Sequence, residues 1–349
     1  MLYDVNYNMT RDFPLSTGGW MNFADSKGNS MLMSGYSQSS IALNERWTAN
    51  VGLNAQYFLL NRHWTIEPRA GVKWQTAAAH SLALAYGMHS RHEKLDYYFV
   101  KDNSKLENTV SNKNLDFAKA HHIVLAYDWH ISDNLHFKTE PYFQYLYDVP
   151  VGEGTPYSII NHKDWYLDKI LVNAGEGRNY GIDFTLERYL ASGYYYMLTA
   201  SVFDSKYKGG DGEWRDTRYN RQFLLNALGG KEWMLGRAKQ NVLGINLRMS
   251  YMGGDRYTPA DVAATQAAQK PVEDERSAMT AQMSPAFVAH FTLSYKINKQ
   301  RTAHEIALKM LNITGYQELT GFAYNYRTNE VLLDRSSVSI PNLCYKVEF

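Results

Sequence analysis

Cysteine is almost absent from this chain: Cys344 stands alone among 349 residues. No intramolecular disulfide can form, so stability has to come from non-covalent pairing. Long apolar runs are missing too. None approaches the ~20 residues of a membrane-spanning helix, and mean hydropathy is −0.45, which excludes a helical membrane protein but not one that crosses with alternating strands. Net charge is nearly nil, with 36 Lys and Arg against 35 Asp and Glu and a formal +1. That balance gives no global field for nucleic acid or an acidic partner. No GxSxG, HExxH, CxxC or glycine-rich phosphate loop occurs, so the reading is of a non-enzyme with no cofactor. The opening residues Met1 to Pro14 have neither the basic start nor the apolar core of an export signal.

What the chain has is alternation. Trp47, Ala49, Val51, Leu53, Ala55, Tyr57 and Leu59 are apolar or aromatic, with Thr48, Asn50, Gly52, Asn54 and Gln56 between them. The pattern recurs at Trp64, Ile66, Pro68, Ala70, Val72 and Trp74, opposed by Thr65, Glu67, Arg69, Lys73 and Gln75. Successive strand residues point to opposite faces, so one face is oil and the other charge. A soluble sheet seldom aims Glu, Arg and Lys in succession from one face while rings line the other. The pattern predicts a transmembrane β-barrel, with lipid outside and water or a polar plug inside. Aromatics at 14%, including 27 Tyr, suit interfacial belts, with Trp47, Trp129 and Tyr295 toward the turn end.

Alternation and turn signals together predict about thirteen strands between Ser30 and Phe349. Connections between them alternate short and long. Glu45-Arg46, Ser132-Asp133-Asn134 and Lys299 to Arg301 are short, whereas Lys94 to Phe117, Val149 to Leu171, Tyr207 to Tyr219, Gly253 to Pro285 and Ile313 to Ser336 are long. Short periplasmic turns and long extracellular loops mark an all-β, antiparallel, up-and-down barrel wall. Residues 1–29 are read as an incoming extracellular loop or partial strand and residues 30–349 as the carboxyl-terminal part of the barrel. An odd strand count would set the first and last strands parallel, so the reading predicts an open, incomplete wall, the carboxyl part of a longer protein.

No metal site emerges. His121 and His122 are neighbours on a strand and point apart. The stretch Lys208 to Asp216 is glycine-rich and acidic but lacks the spaced acidic ladder of a calcium loop. The candidate ligand contacts are aromatic or cationic residues in the long loops: Trp165, Tyr166, Trp214, Arg215, Tyr324 and Tyr326.

Three stretches carry a family resemblance: Met310-Leu311-Asn312-Ile313-Thr314-Gly315-Tyr316, Leu228-Gly229-Gly230-Lys231-Glu232-Trp233 followed by Gly253-Gly254-Asp255-Arg256-Tyr257-Thr258-Pro259, and the final Ile340 to Phe349. With them the chain resembles the back half of a TonB-dependent outer-membrane transporter of the Bacteroidetes type, over nearly its whole length. That resemblance implies a barrel wall in the outer membrane of a Gram-negative bacterium. It implies a plug, further strands and a TonB-binding segment in amino-terminal parts not seen in this sequence. It also implies recognition of the terminal Phe349 by the barrel assembly machinery, and uptake of a nutrient such as a metal chelate, glycan or peptide. A self-contained porin or adhesin barrel, and a soluble carbohydrate-binding β domain, are the alternatives.

Overall fold

The computed structural model describes residues 2–14, 20–101, 112–164 and 166–349. In chain order the strands are β1 (Leu2–Pro14), β2 (Trp20–Ala42), β3 (Trp47–Phe58), β4 (His63–Ala77), β5 (His80–Arg91), β6 (Ala118–Ser132), β7 (Leu135–Val151), β8 (Val172–Ala191), β9 (Tyr194–Lys208), β10 (Trp214–Asp216), β11 (Phe223–Leu235) and β12 (Asn241–Met252). They continue with β13 (Arg256–Tyr257), β14 (Ala281–Gln282), β15 (Ala286–Asn298), β16 (Ala303–Leu311), β17 (Glu318–Asn325), β18 (Glu330–Ser336) and β19 (Ile340–Glu348). One 15-stranded sheet forms a meander in the order β1 to β9, β11, β12, β15, β16, β19, with β10 attached to β9 off this path. Every pairing along it is antiparallel. The small pairs β13–β14 and β17–β18 lie within long connections.

This corrects the sequence reading at its amino end. Leu2–Pro14 is a full strand, and β2 starts at Trp20 rather than near Ser30. The first half of β2 includes Asp25, Ser26, Lys27, Gly28 and Asn29, a polar run that reads as loop until a partner strand supplies its hydrogen bonds. With β10 set aside, the 15 strands leave a path of fourteen. First and last strands then run in opposite directions, so parity is no obstacle to closure. The sheet is nonetheless open, since among the described residues it ends at β1 and β19 with no ladder joining them.

Turn chemistry explains the meander. Between β8 and β9 only Ser192 and Gly193 intervene, at φ 55° and 75°, and two consecutive positive φ values give the type I′ turn whose twist matches antiparallel strands. The other turns on this side are nearly as short, which leaves no room for a crossover. Trp47, Trp129 and Tyr295 all sit at this end, and Trp47 stacks on Trp74 with ring centroids 5.1 Å apart.

Burial is inverted relative to a soluble sheet. On β4, Ile66 is 44% exposed while its neighbour Glu67 is 2% exposed. Leu53, Leu125, Phe143, Leu198, Val202, Leu293 and Ile306 are exposed on the outward face. Inward, Glu67 accepts hydrogen bonds from Asn54 Nδ2 at 3.0 Å, Gln56 Nε2 at 2.5 Å, Arg69 Nη2 at 3.1 Å and Ser90 Oγ at 2.5 Å. One carboxylate thereby stitches β3, β4 and β5, and its full set of donors offsets the cost of burying a charge. Farther round the wall His136 Nε2 meets Asp128 Oδ1 at 2.9 Å and Lys138 meets Glu140 at 2.7 Å.

The facing assignment makes a direct test. Leu293→Arg, outward at the middle of β15, is expected to cost about 2–4 kcal/mol of folding into bilayers. Thr292→Arg, one residue away and inward, is expected to cost well under half of that. Urea titration of both variants in lipid vesicles reads the difference, and equal costs would refute the assignment.

Candidate functional site

The long connections meet at one end of the sheet. The described residues of connections 92–117 and 152–171 (92–101, 112–117, 152–164 and 166–171) pack together over the inner wall, where Tyr97, Tyr98, Phe99, Val100, Leu115, Phe117, Ile159, Leu167 and Leu171 form an apolar cluster with Phe58 and Val149. Phe58 ends the inward row of β3, so the loops fold toward the interior rather than away from it. The aromatic run Tyr97-Tyr98-Phe99 lies in a short 3-10 turn, Leu95–Phe99, whose three successive rings point to different sides and are all buried, so the turn is packed all round.

Two asparagines lock these connections together by imitating backbone. Asn112, fully buried, donates to the Lys169 carbonyl at 2.9 Å and accepts the Leu171 N–H at 2.8 Å. Asn173 accepts the Asp116 N–H at 2.8 Å and donates to the Asp148 carbonyl at 2.7 Å. Neither bond set is visible in the sequence, because each joins residues far apart in the chain. Asn112→Ala strands the Lys169 carbonyl and the Leu171 N–H, at a cost of about 2 kcal/mol. Hydrogen exchange at the Leu171 amide is expected to quicken in that variant, while exchange in β4 stays unchanged.

Glu93 lies under the same cluster, 3% exposed. Arg91 approaches it only to 3.6 Å, and its Oε1 has no partner. Burial therefore holds its carboxyl above the ordinary carboxylate range, with Arg91 opposing the shift. The folded form then binds more protons than the unfolded one above pH 4.5, and the stability of this connection falls as pH rises through the raised pKa. Glu93→Gln is expected to slow hydrogen exchange at Tyr97 to Val100 at neutral pH and to make little difference in acid.

Beyond the cluster lies a cavity of about 390 Å³ between the connections 152–171, 209–222 and 253–285 and the β17–β18 hairpin. Its lining includes Tyr157, Asn161, His162, Arg218, Arg256 and Phe322. Tyr157 is tied to His162 Nδ1 at 2.8 Å. Burial pushes the Tyr157 phenol up and the His162 imidazole down, so both are neutral at physiological pH. The quoted stretch Gly253 to Pro259 builds one wall. A side chain at Gly253 or Gly254 would collide with the carbonyls of Arg221 and Met283, so glycine lets the connection leave β12 pressed against its neighbours. Asp255 then takes Arg221 Nε at 2.5 Å, Arg256 takes Asp216 at 3.1 Å, and Tyr257 meets the Phe322 ring at 6.0 Å.

The residues singled out from the sequence fall elsewhere. Trp165 lies outside the described residues. Tyr166 is half-buried in connection 152–171. On β10, Trp214 lies 4.6 Å from the guanidinium of Arg178, and Arg215 binds Asp211 through two hydrogen bonds of 2.9 and 2.7 Å. Burial works to raise the Asp211 pKa, but the hydrogen bonds and charge of Arg215 together with backbone N–H bonds from Glu213 and Asp211 itself outweigh it and hold the carboxyl below its usual range. Tyr324 and Tyr326 meet edge to face at 5.1 Å near the tip of the β17–β18 hairpin, with Tyr326 74% exposed. None of the five described residues lines the cavity. Phe349 is fully exposed just past β19. Arg256 and Tyr257 lie in a stretch the sequence marks out; Asn112, Asn161 and Arg218 carry no local signal.

An antiparallel meander, oil outside and charge inside, with tight turns at one end and folded loops at the other, defines the wall of a transmembrane β-barrel. The family model for TonB dependent receptor-like β-barrels matches residues 1–325. The chain belongs to that family. Among solved structures it is similar to FyuA from Yersinia pestis, the ferric yersiniabactin uptake receptor, at TM-score 0.66 and 10% identity over 97% of this chain and 49% of that one. The outer-membrane transporter YddB from Escherichia coli matches at 0.61 and 10% over 99% and 49%. Fiu of E. coli, the ferric-catecholate import receptor, matches at 0.60 and 10% over 95% and 47%. The chain spans about half the length of these structures. No curated protein matches it.

Proposed function

We propose that this chain is the carboxyl-terminal wall of a TonB-dependent transporter that takes up a nutrient across the outer membrane of a Gram-negative bacterium. The observation that carries the reading is the inverted burial, exemplified by Ile66 at 44% and Glu67 at 2% exposure. A sheet with that polarity is stable where lipid replaces water on its outer face, and the family match names the kind of barrel. In this reading the edges of β1 and β19 are joined by further strands, because unpaired backbone groups in lipid cost several kcal/mol each. A plug and a TonB-binding segment couple the wall to the TonB complex, and the barrel assembly machinery recognises Phe349. The Bacteroidetes-type affiliation rests on the sequence stretches quoted above. Two of the structural neighbours import ferric chelates by their names, which favours a metal chelate over a glycan or peptide as the cargo.

The test is energised uptake. Cells producing the protein are expected to accumulate radioactive iron supplied as a ferric catecholate, and to lose that accumulation when TonB is deleted. Accumulation indifferent to TonB would replace this reading with a passive porin, and absence of accumulation for a panel of ferric chelates would remove the chelate assignment.

A further inference from the structure

On the outer face of the wall two cations stand opposite each other with no anion between them. Arg178 of β8 and Lys206 of β9 are direct partners in register, on the same face as the exposed Tyr180 and Val202. Like charges in that position destabilise a sheet. The guanidinium of Arg178 lies 4.6 Å from the Trp214 ring and makes no ion pair or hydrogen bond among the described residues; its Nε is buried, but Nη1 and Nη2 are not. The Lys206 ammonium stops 3.9 Å from Asp204, beyond hydrogen-bonding distance. Asp204 itself is occupied by the Tyr180 hydroxyl at 3.0 Å and Asn220 Nδ2 at 2.8 Å. Asp216, opposite Lys206 on β10, is likewise committed to Arg256 at 3.1 Å and Asn220 Nδ2 at 2.7 Å. Nearby cations are settled: Lys119 bonds Asp148 at 2.8 Å and Lys208 bonds Glu176 at 3.1 Å.

The unpaired couple stands at headgroup level. His121, Tyr145, Arg178 and Lys206 are successive partners across β6 to β9, and the stacked rings of His121, Tyr147 and Tyr145 form an interfacial belt on the loop side. Toward the turn end the outward residues of β8 and β9 become apolar, through Ile182, Phe184, Val202 and Ala200. There the outer face carries a groove of about 450 Å³. It opens where Ala200 and Ala227, each paired with a leucine on the neighbouring strand, leave room beside the rings of Phe137, Phe184 and Phe287. Six residues of β9 separate Ala200 from Lys206, about 20 Å along the strand and about 15 Å in depth at a tilt of ~40°. That depth is one leaflet of a hydrocarbon core ~30 Å thick.

We propose that β8 and β9 hold one lipid of the outer leaflet, a phosphate monoester whose head lies between Arg178 and Lys206 and whose acyl chain fills the groove. A monoester carries about −1.5 to −2 charges at neutral pH, which matches two unpaired cations, and the guanidinium fork takes two of its oxygens. A phosphodiester lipid brings a single charge, so one cation stays uncompensated. A free phosphate leaves the groove unused. The proposal rests on the uptake reading only in taking the loop end to face the outside of the cell.

Lipid retention is measurable without transport. The full-length protein is reconstituted into phosphatidylcholine vesicles holding a minor share of lipid A, a phosphate monoester, or of phosphatidylglycerol, a diester, and into plain vesicles with inorganic phosphate added; native mass spectrometry after mild detergent release reads what stays bound. Lipid A is expected to be retained in preference to the other two. Arg178→Gln combined with Lys206→Gln is expected to lower its retention roughly tenfold. Ala200→Phe, which fills the groove and leaves both cations in place, is expected to lower it as well. All three positions face outward, and heat-modified gel mobility verifies that the variants are folded. Equal retention of phosphatidylglycerol, inorganic phosphate bound as tightly as lipid A, full retention by the double variant, or retention indifferent to Ala200→Phe overturns the proposal. TonB-independent uptake alongside intact lipid retention would sink the transport reading alone.

Discussion

Everything in this chain follows from the need to pair backbone hydrogen bonds where the outer solvent offers none. A peptide N–H or C=O facing hydrocarbon has to find its partner in the protein. A meander in which each strand bonds its sequence neighbours meets that need with the shortest possible connections. Once the ladder is in place, the two-residue period sends alternate side chains to opposite solvents, and the exposed rings and buried carboxylate of β4 are two sides of one constraint. The edge strands β1 and β19 are where it is still open.

The inner wall solves a second problem, the holding of charge in a confined space. Glu67 is not tolerated at 2% exposure because carboxylates suit barrels; it is tolerated because donors from three strands converge on it. Such a network needs correct register along β3, β4 and β5 at once. It therefore ties the geometry of the sheet to the chemistry of its interior, and a slip of one residue would turn Glu67 toward lipid.

The loop end follows different rules. Its core is an apolar cluster of the kind found in soluble proteins, with Asn112 and Asn173 substituting for missing secondary structure. Connections that lack a ladder of their own are held by side-chain amides, and this rigid base carries the cavity in which Asn161, Arg218 and Arg256 are gathered. The membrane wall places the loops; the loops build the site.

Alternation alone was enough to determine the class of fold, the meander, the inside and outside of strands such as β3 and β4 and the end at which the loops lie, because each depends on a two-residue period or on the length of a connection. The stretch Gly253 to Pro259 stood out in the sequence only as part of the family resemblance; that its glycines answer to crowding by Arg221 and Met283 is visible in the structure alone. Tertiary structure decided the rest. The polar first half of β2 becomes a strand only because β1 lies beside it, which makes the path fourteen strands long. Trp214 and Arg215, conspicuous in the sequence, are committed to Arg178 and Asp211. Asn112, Asn161 and Arg218 are ordinary polar loop residues until contacts 57 positions away in the chain give them partners. No period encodes such contacts, and so the wall was legible while the site was not.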